Sequence, residues 1–70
     1  MRERELAKVL RAERKRRNKS QYWLALKTGL GENTISHFEN GHNVTFRTAT
    51  KIADALGYVI KWELVKKVDR

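Results

Sequence analysis

Cysteine is absent from the 70-residue chain, which excludes disulfides and thiolate metal sites. Proline is absent too, so no ring interrupts a helix. Glycine occurs only at positions 29, 31, 41 and 57, and three of these fall where a helix would have to end or turn. No apolar run approaches the ~18 residues of a membrane span and no secretory signal is evident, so a cytoplasmic location is expected. Repeats, low-complexity stretches and linkers are likewise missing. The length is that of one domain, with no room expected for a separate sensing or catalytic unit. With 40% hydrophobic residues the core must be small. A domain of this size buries only about 60% of its unfolded surface. Disulfides being excluded, association of subunits is the remaining source of stability.

Acids are also few: eight Asp and Glu stand against 16 Lys and Arg, for a formal net charge of +8. The excess is uneven. Residues 1–19 carry a net +6, residues 20–57 a net zero and residues 58–70 a net +2. A basic arm therefore precedes a neutral middle, and such an arm suits phosphates or is simply a solvated face. A membrane surface is not expected as partner, because the arm's apolar stripe (Leu6, Val9, Leu10) is short for an interfacial helix.

Residues 3–18 contain no helix breaker and are rich in Glu, Arg, Lys, Leu and Ala, which predicts a first helix with that stripe inward. Ser20 is a good N-cap for a second helix running through Leu24, Ala25 and Thr28, and Gly29 offers the left-handed residue that stops it. Leu30 is expected to point inward. A third helix is predicted over Glu32–Glu39, with Ile35 and Phe38 inward and Asn40-Gly41 as its stop. Thr45 can cap a fourth, where Phe46, Ala49, Ile52, Ala53 and Leu56 share one face and Gly57 ends the run.

From Tyr58 to Val65 the period changes to two. Tyr58, Ile60, Trp62 and Leu64 alternate with Val59, Lys61, Glu63 and Val65, which predicts a strand. A lone strand can neither satisfy its ladder nor cover its apolar face. Residues 1–57 are thus expected to form the domain and residues 58–70 a dimerisation tail. Tyr58, Ile60, Trp62 and Leu64 would meet the same strand of a second copy about a two-fold axis. The expected fold is mainly α: four helices plus one C-terminal β-strand pairing between subunits.

Two short helices joined by a tight glycine turn make a helix-turn-helix, whose second helix can enter a DNA major groove. Ser20-Gln21, Leu24-Ala25, Gly29, Ile35, Glu39-Asn40-Gly41 and Ala53-x-x-Leu56-Gly57 stand in an order and spacing that resemble the lambda-repressor-like (Xre, Cro/C1-type) helix-turn-helix domains. The resemblance covers Leu6 to Gly57. It implies a bracing ion pair between Arg14 and Glu39. It implies base reading by Glu32, Asn33, Thr34 and His37, and backbone contacts from Gln21, Asn40, Asn43 and Arg47. The motif itself carries no net charge, so nonspecific affinity is expected from the basic run beside Gln21, notably Arg16 and Lys19.

Three positions depart from the pattern or call for a plainer reading. Glu32 stands where glutamine or a basic residue is common; it either accepts from a cytosine N4 amine or complements the helix dipole. Tyr22 and Trp23 occupy positions that are usually polar. Trp23 either packs over Leu26 or the first helix, the favoured reading, or makes a dimer or partner contact. His37 and His42 are five apart with no Cys or paired acid beside them, so no metal site is expected. His37 is instead expected as an exposed side chain on the reading face. Ser36 and His37 are adjacent on a helix and point apart, and nothing assembles a nucleophile, a base and an oxyanion donor. Neither enzymatic activity nor a cofactor is expected.

The expected function is sequence-specific binding of double-stranded DNA by a homodimer, most simply a repressor on a palindromic operator. An alternative stays open. Small chains of this kind with a C-terminal strand also resemble antitoxins, HipB-like ones included, which bind an operator and a toxin protein. Trp23 or the free face of residues 58–65 would then serve the toxin.

Overall fold

The computed structural model describes residues 3–61, which form four helices: α1 (Glu3–Arg16), α2 (Gln21–Thr28), α3 (Glu32–Glu39) and α4 (Phe46–Ala55). Helix α1 stops two residues short of the run of helix formers. Asn18 takes a left-handed φ of 58°, the conformation asparagine tolerates best after glycine. The Lys19 N–H then bonds back to the Arg14 carbonyl at 3.1 Å. Ser20 caps α2, its hydroxyl accepting from the Trp23 N–H at 2.9 Å. Gly29, at φ 77°, closes α2 by donating to the Ala25 carbonyl. The Thr28 hydroxyl then accepts from the Leu30 N–H at 3.2 Å, which tightens the turn into α3. Thr45 caps α4 by accepting from the Thr48 N–H at 3.1 Å.

The core is built where these helices cross. Leu10, Leu24, Ile35, Ile52 and Leu56 are completely buried, and Ala7, Ala25, Phe38, Ala49 and Ala53 fill the spaces between them. Burying each large aliphatic side chain contributes about 1.5–3 kcal/mol, so five of them carry a large part of a small domain's stability. Small residues at Ala25 and Ala53 let the backbones approach. Leu30 packs against the core from the turn, half-buried.

Two predicted core positions lie elsewhere. Val9 is 42% exposed, and Ala7 takes the inward place on α1 beside Leu10. Phe46 is half exposed at the head of α4, at the edge of a hollow that it lines with Phe38, Val44 and Ala49. Both corrections have one cause. The apolar stripe sets a helix's general direction, but the neighbours it crosses set which edge of the stripe is covered.

Among the described residues no strand forms, and the expected strand over Tyr58–Val65 lies outside them from Trp62 onward, as does Leu64. Tyr58 and Val59 are exposed, while Ile60 packs against the core beside Leu6. Also among the described residues, no helix is long and apolar enough to cross a membrane, and no group of three or more His, Cys, Asp or Glu is placed to hold a metal ion.

Candidate nucleic-acid interface

Helix α3 has two sharply different faces. Ile35, Phe38 and Glu39 are buried against the rest of the fold, whereas Glu32, Asn33 and His37 are exposed and Thr34 is partly so. Asn33, His37 and Asn40 fall at i, i+4 and i+7 and therefore line one outward ridge. Asn40 closes the helix, with its amide nitrogen 3.5 Å from the Ser36 hydroxyl. His37 is exposed but not solitary. Its ring stacks on His42 with centroids 4.4 Å apart and planes 17° from parallel. The stacked pair makes a flat platform beside the end of α3.

Beneath this ridge lies a charged brace. Arg14 grips Glu39 with two parallel hydrogen bonds, Nε to Oε2 at 2.7 Å and Nη2 to Oε1 at 2.9 Å. Its remaining nitrogen, Nη1, donates to the Lys19 carbonyl at 2.6 Å. Gln21 adds a third bond to the same carboxylate, Nε2 to Oε1 at 3.0 Å. The side chains of Arg14 and Glu39 are only 9% and 2% exposed. Burial pushes the Glu39 carboxyl up, but the hydrogen bonds from Arg14 and Gln21, with the charges of Arg14 and Arg11, hold it below the usual carboxylate range. The Glu39 carboxylate thus ties α3 to α1 and to the first residue of α2, while Arg14 also holds the loop between those two helices. The bond from Gln21 uses one of its two amide protons.

The basic run that precedes α2 is divided between two directions. Lys19 lies over the face of Trp23, its ammonium 5.2 Å from the ring centroid, and Trp23 is half-buried against the core. Arg16 and Arg17 turn the other way, both donating to Glu13, Arg17 Nε at 2.7 Å. The Tyr58 hydroxyl donates to the same carboxylate at 3.2 Å. Asn43 and Arg47 are exposed, the first in the connection after α3 and the second in the opening turn of α4. Tyr22 and Leu26 are exposed on α2 beside Leu30.

Glu13 has no counterpart among the residues singled out from sequence. The only signal it offered was its spacing of three and four from Arg16 and Arg17. Hydrogen bonds from Arg16, Arg17 and then Tyr58, with the Arg16 charge, bring its pKa from the ordinary 4.5 to about 2, despite an opposing push from burial. Glu39 is shifted in the same direction. Protonating either carboxylate therefore opposes folding. This part of the stability is fully present above about pH 4.5 and is lost progressively as the pH falls towards 2. The thermal midpoint should decline across that window, and Glu13→Gln should make the decline shallower. An acid profile identical in the variant and the parent would show that Glu13 takes no part.

A family model for the helix-turn-helix, HTH_3, matches residues 10–62. A search of curated proteins found no match. The matched span takes in the last turns of α1 and all of α2, α3 and α4, with the brace and the outward ridge of α3 inside it. The chain therefore belongs to the lambda-repressor-like, Xre-type helix-turn-helix family of DNA-binding transcription regulators.

Proposed function

We propose that this protein is a repressor that binds a palindromic operator as a homodimer. Glu32, Asn33, Thr34 and His37 would read base edges in the major groove. Gln21, Lys19, Asn40, Asn43 and Arg47 would hold the backbone on either side, with Arg16 contributing less because Glu13 already engages it. The observation that carries this reading is the polar outward ridge of α3, fixed through Glu39 to Arg14 and Gln21. A reading surface must hold its side chains within about half an ångström of productive geometry, and a buried bidentate pair is a means to that. Two copies would join through Tyr58, Ile60, Trp62 and Leu64, each placing one α3 in successive half-sites.

Selection of bound duplexes from a random library at near-physiological salt tests this reading. The expected result is an enriched palindrome whose half-site spacing reports the separation of the two α3 helices. Asn33→Ala should relax selection at one base position in each half-site, at a cost of roughly 1–3 kcal/mol. Binding with no enriched motif would reject sequence-specific reading.

One observation favours the antitoxin alternative. Tyr22 and Leu26 are 58% and 66% exposed and lie beside Leu30, an apolar patch that the DNA-reading account does not use. If a toxin binds there, Tyr22→Ala with Leu26→Ala should abolish toxin neutralisation and leave the operator motif unchanged.

A further inference from the structure

The recognition unit, residues 20–57, has no net charge, so beyond local contacts such as that of Arg47 the net electrostatic attraction to DNA comes from outside it. Helix α1 is the richest source, and the structure divides its cations. Arg14 is committed to Glu39, and Arg16 and Arg17 are committed to Glu13. Arg4, Lys8, Arg11 and Lys15 remain. They recur at spacings of four, three and four, so they share one face of α1, and all four are exposed. Among the described residues Arg4, Lys8 and Lys15 form no ion pair. Arg11 has only a distant one, 3.9 Å from Glu39, an acid already neutralised by Arg14.

The position of this face matters as much as its charge. Arg4, Lys8 and Arg11 line a hollow whose other wall is Glu39, Asn40 and Gly41, where the chain leaves α3. The stem of Arg4 lies so close to Gly41 that an added Cβ there would stand 3.2 Å from its Cγ. Glycine at that point, with φ 84°, both makes the turn and lets the arginine lie against it. A row of cations is thus held next to the end of the α3 ridge.

We propose that Arg4, Lys8, Arg11 and Lys15 form a second track for the DNA backbone, gripping phosphates along α1 beyond those reached by the helix-turn-helix itself. The inference rests on the DNA-binding reading above and adds to it the main source of sequence-independent affinity. The row extends about 16 Å along the helix axis, enough to meet more than one phosphate of a strand.

Binding of the full chain to a selected duplex and to a scrambled one, followed by fluorescence anisotropy from 50 to 200 mM salt, tests the proposal. Lys8→Ala with Arg11→Ala should weaken both duplexes alike, by about fivefold for each cation removed near 0.15 M salt. The slope of log K against log salt should fall by about 0.9 for each phosphate no longer neutralised. Lys8→Ala with Lys15→Ala disturbs no ion pair and should do the same, which separates charge from any effect on the brace. Lys51→Ala, on α4 beside Asp54, serves as a control for losing a single cation elsewhere and should leave the slope unchanged. An unchanged slope in both double variants would overturn the proposal, as would an equal fall with Lys51→Ala. If Asn33→Ala relaxes the motif while those slopes stay put, base reading stands and this inference alone fails. If the parent protein binds no duplex, both fail. Loss of binding to phosphatidylserine vesicles with duplex binding intact would also overturn it, assigning the row to a membrane surface.

Discussion

Glu39→Ala is expected to cost about 3–5 kcal/mol, the usual penalty for removing one partner of a buried ion pair. The Arg14 guanidinium would be left buried with two donors unmatched, and the Gln21 amide would lose its acceptor. Natural domains as a class have about 5–15 kcal/mol in hand, and a chain with so small a core sits towards the low end. The variant should therefore be largely unfolded near 37 °C. Urea denaturation followed by far-ultraviolet circular dichroism would measure the loss. Arg14→Met combined with Glu39→Leu should recover most of it, because an apolar pair of similar volume leaves no buried charge. A loss below about 1 kcal/mol for Glu39→Ala would mean that the pair behaves as a solvated surface bridge, against its observed burial.

Charging the tail is expected to have the second large effect, this time on function. Ile60→Asp with Trp62→Asp should convert a dimer into a monomer in sedimentation velocity. Operator affinity should drop by about 10²–10⁴, the gain that joining two half-site contacts provides. Tyr58 is fastened to Glu13, which fixes where the tail leaves the domain. Ile60 and Leu6 sit at the edge of a groove that continues to the exposed Val9 and Val59, an apolar margin suited to a second copy. An unchanged dimer in the double variant would reject pairing through the tail. A monomeric parent protein would reject it more simply.

The two experiments separate the two kinds of information in this chain. Glu39 was legible because Glu39-Asn40-Gly41 resembles a family element, not because any periodicity pairs it with Arg14 twenty-five residues away. The tail was read in the opposite way, from a change of period that needed no family, and its described residues, 58–61, form no strand.

Local chemistry made the helices readable. Ser20 and Thr45 each offer a hydroxyl to an orphan N–H, Gly29 relieves the left-handed strain, and inward residues recur at helical spacing within a helix, Ile35 with Phe38 and Ala49 with Ile52, Ala53 and Leu56. Those are interactions within a few residues, so the sequence by itself determined the four helices, the caps at Ser20 and Thr45 and most of the core. It could not determine direction around α1. Nine cations in the first nineteen residues looked like one basic arm, yet Arg14 turns to α3, Arg16 and Arg17 turn to the Glu13 carboxylate that Tyr58 also reaches, and Arg4, Lys8 and Arg11 border the exit of α3. The face each side chain occupies follows from helical geometry, but what lies opposite that face depends on how the helices cross. The stacking of His37 on His42, the half-exposure of Phe46 and the placement of Lys19 over Trp23 have the same origin. Only the tertiary structure decided which of the charges are spoken for, because the brace needs an acid brought in from another helix and Glu13 is completed by a tyrosine from beyond α4.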